Sequence, residues 1–174
     1  MLQFEIDISD QQSSLTVRHE WLREVIERVL VEEDVASAQI SLALVDDAAI
    51  QRVNREYLGH DYPTDVISFV LSAPNDRDPL DEPSESEQSP SVRPSTSPST
   101  RHLEGELVVS TQTALREAPS HGWLAEDELI LYVVHGLLHL CGYDDLTEHA
   151  RPIMRSRERQ VLAFWQLTPT GLEA

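Results

Sequence analysis

The sequence predicts an α+β domain: a mixed four-stranded sheet packed with about five helices. Short segments place apolar residues at every second position, the signature of strands. Longer segments repeat them at three- and four-residue spacing, the signature of helices. The two kinds follow one another as β-α-β-α-β-β-α-α-α, an order that one mixed sheet with covering helices satisfies.

Leu2, Phe4, Ile6 and Ile8 alternate as a first strand. Residues 16 to 33 set Trp21, Leu22, Val25, Ile26, Val29 and Leu30 on one helical face. Ile40, Leu42 and Leu44 alternate as a second strand. Asp46 and Asp47 offer caps for a helix running to about Tyr57. DVISFVL, residues 65 to 71, is β-branched and reads as a buried strand. ELVVS, residues 106 to 110, reads as another, and residues 111 to 118 as a short helix. Residues 126 to 140 are apolar nearly all round, so that helix is central and buried. Pro152 suits a first helical turn, and the last helix runs to about Leu167.

The whole chain of 174 residues suits a single domain, with one break in composition. Residues 72 to 101 hold six of the ten prolines, eight serines, no glycine and no aromatic residue. So little apolar surface cannot offset the entropy of ordering, and the segment is expected to be a disordered surface insertion. The net charge of −18 argues against non-specific nucleic-acid binding through a basic shell. All 13 basic residues are Arg; with no Lys, Schiff-base and P-loop chemistry are excluded. A single cysteine, Cys141, fits a reducing compartment. No signal-like start and no membrane-length apolar run are present, so a soluble cytoplasmic protein is expected.

The chemistry concentrates at the end of the central helix, HGLLHLCGYDD, residues 135 to 145. His135 and His139 stand four apart, so one helical face presents both imidazoles to a divalent metal. Gly142 permits a left-handed helix end that turns the chain back toward that face. Asp145 has the offset for a third ligand; Asp144 and His149 lie close enough to compete, and Cys141 reads as packed. Zinc peptidases of the metzincin type share this frame but carry a Glu general base directly after the first His. Here that position is Gly136, which moves no proton. Just beyond, Arg151, Arg155, Arg157 and Arg159 fall within nine residues. Arg151, Arg155 and Arg159 are candidate phosphate contacts, with a salt-bridged helix face through Glu158 as the alternative.

HGLLHLCGYDD resembles the signature of the YbeY family of bacterial rRNA maturation endoribonucleases, usually H-G-x-L-H-L-x-G-Y-D-H. NREYLGHDYPTDVISF, residues 54 to 69, is similar to the family's second motif, which ends P-T-D-V-L-S-F. GELVVS, residues 105 to 110, resembles its strand G-D-I-V-I-S. Met154, Glu158 and Leu162 sit where its C-terminal helix has M-x-x-x-E-x-x-x-L. The similarity spans nearly the whole chain outside the insertion.

The resemblance implies a single-strand-preferring, metal-dependent endoribonuclease in 16S rRNA maturation and ribosome quality control. It implies one zinc per chain on His135, His139 and Asp145, with ribosomal RNA as substrate. It implies small-subunit ribosomal proteins and an assembly GTPase as partners, and no membrane. Asp145 departs from the family's third His and makes the site more anionic. Leu58, after the aromatic Tyr57, stands where the family often has an Arg, and a leucine holds no phosphate. His60 is a nearby candidate for part of that role, with a plain loop histidine as the alternative. Glu106 replaces the strand Asp and is the candidate general base, or else an edge-strand surface acid. Thr64 and Asp65 either bound a turn or line the cleft. Two other classes compete: a non-catalytic assembly factor with a structural metal, favoured by Leu58, and a metallopeptidase, opposed by Gly136.

Overall fold

A computed structural model describes residues 2–72 and 101–169. Nearly all of the expected insertion, residues 73 to 100, lies outside the described residues. The strands are β1 (Gln3–Asp10), β2 (Ser37–Val45), β3 (Val66–Ser72) and β4 (His102–Ser110). The helices are α1 (His19–Glu32), α2 (Asp47–Val53), α3 (Thr111–His121), α4 (Ala125–Leu140) and α5 (Ala150–Leu162). The fold is α+β, and the sheet is mixed, in the order β1-β2-β4-β3. β1, β2 and β4 run parallel, and β3 is an antiparallel edge strand beside β4.

Period two in the strands sorts side chains to opposite faces of the sheet. One face carries Ile6, Ile40, Leu42, Leu44, Leu103, Leu107 and Val109 into the main core. That core is completed by α1, by α4 and by Met154, Val161 and Leu162 of α5. The other face has a smaller core, in which Val45, Ile67 and Val108 meet Ile50 of α2.

The closeness of α4 to the sheet depends on two glycines. A Cβ on Gly136 would lie 2.7 Å from Leu107 and 3.0 Å from Val66. A Cβ on Gly105 of β4 would lie 2.5 Å from Leu140. Glycine at both positions lets helix and sheet approach closely, so α4 crosses β4 and the edge strand β3. This also explains why β4 begins at His102, four residues before the expected start. Gly105 reads as a break in the sequence, yet it pairs with Ile40 and Val70 inside the sheet.

Three helix ends differ from expectation. The helix expected to Tyr57 is α-helical only to Val53 and then widens into a π-helical turn, Asn54–Leu58. Buried Asn54 donates its side-chain amide to the Tyr62 carbonyl, 2.9 Å, fixing the loop that follows. α3 continues through Pro119 to His121 before Gly122, at φ 69°, ends it. α5 stops at Leu162 and tightens into a 3-10 turn, Ala163–Trp165.

Candidate metal centre

The site forms where α4 ends. After Leu140 the Gly142 amide bonds the His139 carbonyl at 3.0 Å, and the Tyr143 amide bonds that of Leu138 at 3.0 Å. With Gly142 at φ 98°, this is a Schellman turn, a geometry that glycine adopts without strain. It reverses the chain so that the Tyr143 carbonyl and Asp145 return to the face carrying His135 and His139.

The two Nε2 atoms face each other at 3.0 Å. Asp145 closes the triangle, one carboxylate oxygen 3.7 Å from His135 Nε2 and the other 3.6 Å from His139 Nε2. All three side chains are partly buried, and their candidate ligand atoms lie within 4.8 Å of one another. His139 Nδ1 lies 3.0 Å from the Tyr143 carbonyl, which only accepts, so Nδ1 carries the proton. His135 Nδ1 lies 2.5 Å from Glu158 Oε1.

Glu158 is fully buried, at 0% exposure. Burial raises its carboxyl pKa, but the bonds from His135 and Arg155 outweigh that and leave it lower than an ordinary glutamate's. It is therefore a carboxylate, and His135 Nδ1 donates to it. With both Nδ1 atoms donating to the acceptors behind them, both Nε2 atoms converge on one point beside the Asp145 carboxylate. Only a cation or a proton reconciles that arrangement. Two imidazoles and a carboxylate, each imidazole held from behind by an acceptor, are a donor set that fits a divalent transition metal.

The competing ligands are placed elsewhere. Asp144 accepts the Leu146 amide at 3.0 Å and serves its own turn. His149 is exposed at the start of α5. Cys141 is buried, and desolvation pushes its thiol up to about 12. Gly136 faces Leu107 and Val66 in the sheet. A peptidase-like Glu there would meet the packed core.

Several candidate residues stand apart from the cluster. Glu106 is the main correction. Its neighbours Gly105 and Leu107 face α4, so alternation turns Glu106 to the opposite side of the sheet. There it lines a pocket with Val53, Tyr57, Phe69, Leu71 and Val108, and it cannot act as base for a group at His135. Arg155 donates to Glu158 Oε2 at 3.0 Å and braces the centre from within. That bond is the salt bridge through Glu158 that the sequence offers as the alternative to a phosphate contact. Arg157 is tied to Glu33 at 2.6 Å. Arg151 is exposed and donates to the Asp145 carbonyl at 3.1 Å, supporting the ligand loop. Arg159 is exposed on α5. His60 is an exposed loop residue stacked on Tyr62, with ring centres 5.4 Å apart, outside the cluster. Thr64 and Asp65 bond each other, 2.9 Å, and Asp65 also accepts the Val66 amide, which is turn chemistry.

The residue that sequence reasoning did not place in the site is Glu158, 23 positions from His135. Its signal was a carboxylate on the apolar face of α5 between Met154 and Leu162, where a buried charge demands a partner.

The description "Endoribonuclease YbeY" belongs to the family that matches residues 5–166. A relative carrying that name in Moorella thermoacetica is 38% identical over 163 residues, 91% of this chain and 96% of its own. Another, in Halalkalibacterium halodurans, is 36% identical over 170 residues, 96% of this chain and 99% of its own. The solution structure of TM1509 from Thermotoga maritima superposes with a TM-score of 0.54 at 22% identity. It covers 92% of this chain and 91% of its own, and it supports the fold. Matched over the sheet, the central helix and the convergent His135–His139–Asp145 cluster alike, the chain belongs to the YbeY endoribonuclease family.

Proposed function

We propose that this chain is a metal-dependent endoribonuclease that cuts single-stranded ribosomal RNA, acting in 16S rRNA maturation and ribosome quality control. The observation that carries the proposal is the pair of Nε2 atoms converging at 3.0 Å beside Asp145, in a chain of this family. His135, His139 and Asp145 would hold one zinc ion. Bound there, zinc supplies Lewis-acid polarisation of a phosphodiester oxygen and acidifies water.

The chain's own residues do the rest. Glu158 and the Tyr143 carbonyl hold the two imidazoles in the tautomer that presents Nε2. The bond from His135, with Arg155 beside it, outweighs burial and keeps Glu158 ionised. The Schellman turn at Gly142 and the Arg151 bond to the Asp145 carbonyl fix the carboxylate. Arg151 and Arg159 are the exposed cations of α5 proposed to meet phosphate, with His60 a further candidate contact.

With a net charge of −18, long-range attraction to RNA is absent. Delivery by small-subunit ribosomal proteins or an assembly GTPase, in the cytoplasm, accords with that charge. No helix among the described residues is long and apolar enough to cross a membrane. We further propose that residues 1–174 form one domain, with residues 72–101 as a surface insertion.

A non-catalytic assembly factor with a structural metal is the second reading. It is favoured by Leu58, an exposed leucine where the family often has an Arg. The test measures metal content and single-stranded RNA cleavage for wild type, His135→Ala and Asp145→Ala, with circular dichroism as a folding control. Near one zinc per wild-type chain, with cleavage lost in both folded variants and after chelation, supports the enzyme. Bound metal without cleavage supports the assembly factor, and full activity in His135→Ala refutes the site.

A further inference from the structure

We propose that the pocket on the far side of the sheet, lined by Glu106, binds one guanine base of single-stranded RNA. The proposal deepens the endoribonuclease reading and rests on it.

The pocket's floor is the edge of the sheet. Phe69 of β3 and Glu106 of β4 are direct cross-strand partners on this face, with Val108 beside them. Its wall is Val53 and Tyr57, one helical turn apart, and Leu71 stands at the rim, where the β3 register shifts. The Tyr57 ring meets Phe69 edge-on, with centroids 5.4 Å apart and planes at 69°. Tyr57 is nevertheless 64% exposed, so a ring face remains open for stacking. Stacking on an exposed aromatic ring is a common way to hold a single-stranded base. The cavity measures about 300 Å³, the small end of ligand pockets, which suits one heterocycle.

Glu106 sets the specificity. It is the sole charged group lining the pocket, and among the described residues its carboxylate has no hydrogen-bond or ion-pair partner. A carboxylate only accepts, and its two oxygens are best met by two adjacent donors. Guanine presents N1–H and its 2-amino group side by side on the Watson–Crick edge. Adenine and cytosine offer one amino group there, and uracil one imide. The same negative charge excludes phosphate, so a base enters and its backbone stays outside. An arginine side chain carries a similar donor fork, but it would surrender its hydration to an apolar pocket. β3 is an edge strand, so the pocket opens beside an unpaired sheet edge that a single strand can approach.

The test is fluorescence anisotropy with labelled r(UUGUU) and r(UUUUU), on chelator-treated protein so that no cleavage intervenes. The wild type is expected to bind r(UUGUU) about tenfold more tightly, the lower range for a bidentate base contact. Glu106→Gln should erase the difference and leave r(UUUUU) binding no weaker. Tyr57→Leu, at an exposed position where folding is not at stake, should weaken r(UUGUU). Equal binding of both RNAs by the wild type, or a preference that survives Glu106→Gln, overturns the proposal. So does a short arginine-rich peptide that binds through Glu106 while the RNAs are not discriminated, which would mean a protein partner. If the metal-loaded wild type cleaves neither RNA yet still prefers r(UUGUU), the endoribonuclease reading fails and the pocket stands.

Discussion

Replacing Glu158 tests whether the centre is built from behind. Glu158 is fully buried, takes a proton donor from His135 on one oxygen and from Arg155 on the other, and touches no ligand position itself. Glu158→Gln preserves shape and can still accept from His135 through its amide oxygen, but the charge is gone. Glu158→Ala removes the acceptor altogether and frees the His135 ring to rotate or change tautomer. Loss of such outer partners costs metal sites about 10- to 100-fold in affinity, which is about 1.4 to 2.7 kcal/mol. The glutamine variant is expected near the lower bound and the alanine variant near the upper. Arg155 is 31% exposed at its side chain, so once unpaired it turns to water rather than staying as a buried charge. The variants should therefore fold.

Arg155 acts only through Glu158. Arg155→Met should weaken metal binding in the wild type and have no added effect in Glu158→Ala, a strongly non-additive cycle. The assay is competition for zinc against a chromophoric chelator, with thermal unfolding of the metal-free proteins alongside. Folded Glu158 variants that hold zinc as tightly as wild type would refute the reasoning.

Asp47 accepts from Ser110, Thr113 and Arg116 and ties α2 to the start of α3. Desolvation raises its carboxyl pKa, but those bonds lower it further, to below the ordinary 3.8. Its ionised form therefore stabilises the fold fully above about pH 3.8, and the contribution fades as pH falls through the lower folded value. Asp47→Asn should lose about 1 to 3 kcal/mol at pH 7 and show a flatter acid limb in urea unfolding; an unchanged pH profile contradicts this. Cys141, pushed up to about 12 by burial, should react slowly with a disulfide reagent at pH 8 and rapidly in urea. Rapid native labelling would show that the α4 end opens. Gly105→Ala and Gly136→Ala should each cost about 1 to 3 kcal/mol through overpacking, with Gly105 the worse because Leu140 lies closer. For a chain of this size that is a fall of about 2 to 4 °C per kcal/mol in Tm, and an unchanged melting curve would mean α4 can lift from the sheet.

Much of the architecture is legible in the sequence because it follows local periods. Alternation in residues 2 to 8 and 40 to 44 marks β1 and β2, and the apolar run of residues 126 to 140 marks the buried helix. The spacing of His135 and His139 puts both on one face by helical geometry alone, and Gly142 marks the turn that returns Asp145 to them. These relations lie within about ten residues of one another, where backbone geometry decides the outcome.

Other features needed the fold. Alternation places Glu106 opposite Leu107, but both faces of β4 are apolar near it, so no local pattern says which face receives α4. The contact of Gly136 with Leu107 and Val66 decides that, and it moves Glu106 away from the metal centre. The Arg cluster of α5 reads as one charged face in sequence. Packing instead ties Arg157 to Glu33 and buries Glu158, which draws its local partner Arg155 in behind the centre. The order β1-β2-β4-β3, with β3 antiparallel at the edge, likewise comes from long-range pairing that no local period encodes. The sequence by itself determined the two imidazoles, their spacing and the turn behind them, since a helix repeats every 3.6 residues whatever surrounds it. Only the tertiary structure decided that Glu158 stands behind His135, because a buried charge takes the partner that packing brings to it.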